Sequence, residues 1–177
     1  MRGKPRWHAT VRAFDKGVPA FFPTLARDVD GSSYLSALFD EDPVQLDPSY
    51  VGPVVPPDRQ YSWLLRKYGP QGELMWEKFG AVAGTSKGLT TLLAAAGGAL
   101  AIALVNVDLV DLGKERVQAN GSTLLLELDT NGELRRTQKL EDGVSALSLN
   151  AAGELVIAGQ GASTGGDYDL FVTKFAR

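Results

Sequence analysis

Short apolar runs and glycine-bearing turns alternate along the chain, and their order recurs. Residues 24–28, 92–95 and 145–149 are brief first runs, each followed by a turn at Asp30-Gly31, Gly97-Gly98 or Ala152-Gly153. Second runs at 33–38, 100–105 and 154–158 are the most continuously apolar, the pattern of a strand covered on both faces. Third runs lie at 63–68, 124–128 and 170–175, and the first two lead into Gly69-Pro70-Gln71-Gly72 and Asp129-Thr130-Asn131-Gly132. Both sequences suit hairpin turns, because a glycine supplies the positive φ that closes them. Fourth runs at 74–79 and 134–140 complete the first two copies.

The phrase at 64–74 returns at 124–134, and its first half returns at 170–176. Self-similarity at a spacing of roughly 45 to 60 residues indicates a repeat architecture. The third copy carries no fourth run, but the N-terminus supplies one: residues 3–11 line up with 72–80, and Trp7 falls on Trp76. The pattern predicts one all-β domain over 1–177, built as a β-propeller of about three four-stranded blades. Blade boundaries fall at 22–80, 88–140 and 142–177, with an N-terminal strand in 1–14 completing the C-terminal blade.

The phrases at 169–175, 131–134 and 72–80 resemble the bacterial SBBP family, the seven-bladed β-propeller repeats. Val110-Asp111-Leu112-Gly113 resembles the segment that family places between its second and third strands. The resemblance covers nearly the whole chain. It departs where Arg136 stands at the tryptophan position and where the loops 39–60 and 106–122 exceed a compact repeat. It implies repeats of larger bacterial exported or surface proteins.

With 177 residues, 44% of them hydrophobic, the chain can bury a core. A net charge of -3 with scattered Lys and Arg leaves no basic footprint for nucleic acid, so no such partner is expected. The lack of cysteine excludes disulfides, thiolate metal sites, cysteine nucleophiles and a lipid-modified cysteine. The basic start Met1-Arg2-Gly3-Lys4-Pro5-Arg6 meets Trp7-His8 where an apolar signal region would begin, so no signal peptide is expected and the compartment stays open. The uncharged run at 92–105 is long enough to suggest a membrane span, yet Gly97-Gly98 sits at the turn position of the repeat. A buried hairpin is predicted there, and no membrane.

Candidate chemistry is sparse. Asp40, Glu41 and Asp42 place carboxylates together, with Asp47 beyond, but they lack the central glycine and terminal glutamate of a calcium loop. They are read as a solvated loop and the best candidate for loop binding. Residues 79–87 miss the phosphate-loop spacing, since Lys87 comes three residues late, and are read as an inter-blade linker. The glycine-rich 159–166 is read as a flexible loop. His8 is the only histidine and reads as a strand residue, and no Gly-x-Ser-x-Gly elbow offers a nucleophile. Trp7, Trp63 and Trp76 fall on strands, where tryptophan packs between blades before it stacks on ligands.

These readings assign no catalytic, cofactor or metal residues and lead to a non-enzymatic repeat module serving as a protein- or ligand-binding or assembly scaffold. The alternatives are a propeller-type hydrolase with carboxylates along its channel, a carbohydrate-binding module, and a fragment of a longer propeller with no activity of its own. Terminal blades of an open stack expose apolar faces. A head-to-tail homodimer would join six blades, the N-terminal strand of each copy completing the third blade of the other.

Overall fold

A computed structural model describes residues 7–8, 20–39, 60–84, 89–112, 115–162 and 168–175. The described residues form strands and turns with no helix. The first meander is β1 (Ala20–Arg27), β2 (Ser33–Phe39), β3 (Gln60–Tyr68) and β4 (Leu74–Gly84), each antiparallel to the next. The second is β5 (Thr90–Ala96), β6 (Ala99–Asp111), β7 (Arg116–Leu128) and β8 (Leu134–Leu140). The third is β9 (Gly143–Leu149), β10 (Leu155–Ala162) and β11 (Tyr168–Phe175). The repeat read from sequence is therefore the repeat of strand order.

Four of the turns share one construction. At Asp28, Gly69, Asp129 and Asn150 the N–H donates to the carbonyl four residues on, while its own carbonyl accepts from the N–H three residues on. The residue three on is Gly31, Gly72, Gly132 or Gly153, with φ between 76° and 89°. This is a type I turn closed by a glycine bulge, and it explains why glycine recurs at that spacing. The β5–β6 turn is the two-residue variant, Gly97-Gly98 at φ 59° and 77°, so the uncharged run at 92–105 folds as a hairpin. No helix among the described residues is long and apolar enough to cross a membrane.

The three meanders stack face to face. Leu100, Ile102 and Leu104 of β6 with Leu124, Leu126 and Leu128 of β7 pack forward on Tyr34, Leu38, Trp63 and Leu65 of the first meander. The alternate side chains, Ala101, Ala103, Val105 and Leu125, pack backward on Leu155, Ile157, Phe171 and Phe175 of the third. Strand alternation thus gives each meander a front face toward its predecessor and a rear face toward its successor.

Three expectations change. Most of 106–122 is strand: β6 runs on to Asp111 and β7 begins at Arg116, Val107–Asp111 of β6 pair with Ala81–Gly84 of β4, and 113–114 lie outside the described residues. Asn106, at φ 58°, turns β6 from its neighbour β5 to its neighbour β4, which joins the first two meanders into one sheet. Residues 159–162 are likewise strand, because Gly159 and Gly161 let β9 and Asp142 approach too closely for a side chain; 163–167 lie outside the described residues. The segment read as a linker begins as strand too, since β4 continues to Gly84, and 85–88 lie outside the described residues.

The closing N-terminal strand expected in 1–14 lies outside the described residues except for Trp7 and His8, which are not in a strand. Trp7 stacks on Tyr68 of the first meander with ring centroids 5.7 Å apart. Among the described residues no strand pairs with the outer edge of β11, and the stack is open.

Candidate functional site

Two places stand out: the junction between the first and second meanders at their turn ends, and the rear face of the third. At the junction, the buried Asp28 accepts backbone N–H bonds from Gly97 (2.9 Å) and Gly98 (2.8 Å) across the meanders, and from its neighbour Val29 (2.6 Å). Lys67 is buried with its ammonium 5.3 Å from the Tyr34 ring centroid, and it donates to the Thr130 carbonyl at 3.4 Å. Trp76 Nε1 donates to the same carbonyl at 2.9 Å. The first meander thus grips the β7–β8 turn of the second.

Tyr34 is fully buried, and its hydroxyl has no hydrogen-bond partner among the described residues. Burial, with the nearby Asp28 and Asp30 carboxylates, pushes its phenol up to about 12. The Ser32 backbone N–H holds Asp30 below the usual carboxylate range, and the Glu133 and Asn131 N–H groups do the same for Asp129. Each of these carboxylates is bonded within a turn, which accounts for its shift without any catalytic task.

A cavity of about 380 Å³ opens at the turn end of the first meander, lined by Trp7, Arg27, Gly31, Ser33 and Pro70. It lies on the front face, because Arg27 pairs with Ser33 and Ser33 with Tyr68.

The rear face of the third meander is bare. Tyr168, Leu170 and Val172 of β11 are 77%, 84% and 74% exposed. Register makes the last value informative. Val172 pairs with Ala158, three residues into its meander's second strand after Leu155, where Leu125 pairs with Ala103 and Leu65 with Ser36. Leu65 and Leu125 are each 1% exposed beneath the following meander, so the same position is core twice and surface once.

The sequence-derived candidates Asp40, Glu41 and Asp42 lie outside the described residues. His8 is exposed, Trp63 is core with Nε1 donating to Ser36 Oγ at 2.7 Å, and Trp76 holds the Thr130 turn. Among the described residues no three His, Asp or Glu side chains gather as a metal site. Sequence reasoning expected apolar terminal faces but missed the residues of this one, although a signal was present. Residues 168–175 carry apolar side chains on both alternations, Tyr168, Leu170 and Val172 on one and Phe171 and Phe175 on the other, the composition of a strand meant to be covered twice.

No protein-family model matches the chain, and no curated protein matches it.

Proposed function

We propose that the chain is a non-enzymatic β-propeller-type module, similar to SBBP repeats, that serves as an assembly or binding scaffold through the rear face of its third meander. The observation that carries this reading is Val172, exposed at a register position that the chain buries in both of its other meanders. Exposed apolar patches of this kind mark interaction sites. Asp30 and Asp129 support the same reading, because backbone N–H groups of their own turns are the main cause of their shifts.

The test is a Leu170→Lys, Val172→Lys double variant unfolded in urea, with midpoints extrapolated to high dilution. A docking face lies outside the chain's own core, so stability should stay within about 0.5 kcal/mol of the parent. A loss of several kcal/mol would show that the face belongs to the fold and would sink the docking reading.

A further inference from the structure

Residues around the cavity on the first meander and on the bare face of the third share register positions with the two sides of the junction between the first and second meanders. Register places each lining residue against a counterpart in the second meander. Arg27, paired with Ser33, corresponds to Ala95, paired with Leu100; Gly31 corresponds to Gly98, and Pro70 to Thr130. The sequence repeat places Trp7 on Trp76. The structure carries that match into space: a Cβ added at Gly72 would come within 2.7 Å of Trp7, and one added at Gly132 within 3.2 Å of Trp76. Trp7 therefore sits on the first meander as Trp76 of the first sits on the second, in the place of a fourth strand from a preceding meander.

In the second meander that socket is filled. Lys67 and Tyr34 of the first meander enter it, with Lys67 on the Thr130 carbonyl and the Tyr34 ring 6.0 Å from that of Trp76. Lys67 pairs with Tyr34 as Lys174 pairs with Val156 in the third meander, so Lys174 and Val156 are the matching plug. The positions nearest the turn end agree, whereas Ala37 and Leu64, farther along the same face, are already buried at 2% and 1%, so the seat is the turn-end half. Leu93 and Leu147 pack into the cores between meanders, whereas Leu25, at the same register position, is 67% exposed.

We propose that the occupant of the bare face is the first meander of a second copy of this chain, seated head to tail. Lys174 and Val156 of one copy enter the cavity of the other, and Val172 packs beside Leu25. Lys174 reaches the Pro70 carbonyl, as Lys67 reaches that of Thr130. Its ion-pair partner Glu154, 2.7 Å away, brings a carboxylate to the exposed Arg27. The contact is heterologous, so two copies close into a ring of six meanders when each plug finds the other's socket.

This inference rests on the docking reading above, and the two can fail separately. Because the chain has no cysteine, Leu25→Cys and Val172→Cys each introduce a unique thiol. Mixed and treated with a short bis-maleimide, the two variants should cross-link several-fold more than either alone. The parent should sediment at twice the 18.9 kDa chain mass, and Val172→Lys should sediment as a monomer with an unchanged circular dichroism spectrum. Val172→Cys cross-linking chiefly to itself would show a tail-to-tail pair and overturn the proposal. A parent that stays monomeric at high concentration would overturn it as well. If the double-lysine variant still folds in that case, the docking face stands and only its occupant is wrong.

Discussion

Asp28 accepts a 2.8 Å hydrogen bond from the backbone N–H of Gly98, seventy residues along the chain, and so fixes the first meander's turn to the second's. A buried carboxylate bonded to three N–H groups leaves three unmatched donors when it is removed. Asp28→Ala should cost about 2 to 3 kcal/mol in urea unfolding. Asp30→Ala should cost under about 1 kcal/mol, since exposed Asp30 makes its side-chain bonds to Ser32 within its own turn.

Tyr34 offers the opposite expectation. Its buried hydroxyl lacks a partner among the described residues, so Tyr34→Phe should leave stability unchanged or raise it by up to about 1 kcal/mol at neutral pH. Phenylalanine keeps the ring, so its packing is not lost.

The same phenol gives a pH dependence with a defined sign. Its folded value of about 12 lies above the ordinary 10.0, so the unfolded chain loses the proton first. Stability should be intact below about pH 10 and fall by about 1 kcal/mol per pH unit up to about pH 12. Urea titrations at alkaline pH should show this decline in the parent and its attenuation in Tyr34→Phe.

Gly132 and Gly143 separate conformational need from mere smallness. Gly132 sits at φ 76°, and an added Cβ would stand 2.5 Å from Lys78 Cε, whereas a Cβ on Gly143 would meet Gln160 O at 3.6 Å. Gly132→Ala should lower stability by about 1 to 3 kcal/mol, while Gly143→Ala should be near neutral by thermal unfolding.

The strands and turns were legible because their causes are local. The turn glycines at 31, 72, 132 and 153 and the apolar runs beside them announce strand order without any tertiary information. The extension of β6 past Asn106 was not legible. Residues 107–111 alternate no better than a loop, and pairing with β7 on one side and with Ala81–Gly84, more than twenty residues upstream, on the other makes them strand. The residues of the candidate site were hidden for a similar reason. Val172 resembles Leu65 and Leu125 in type, and only the stacking order shows that its cover is missing from the described residues.

Stability should also grade along the stack. β6 and β7 are covered on both faces by meanders, whereas β10 and β11 are covered on one. Hydrogen exchange should therefore open the β9–β11 amides first and those of the β6–β7 pair, around Ile102 and Leu126, last. Leu126→Ala, at the buried first junction, should cost about 3 kcal/mol.

The turn of β6 at Asn106 separates repetition from mechanics. The sequence repeats three times, yet one backbone ladder stitches the first two copies together, while the third is attached to them by side-chain contacts. The result is a body of two and a rider of one. The seam between repeats and the seam along which the molecule would come apart coincide only before Gly143.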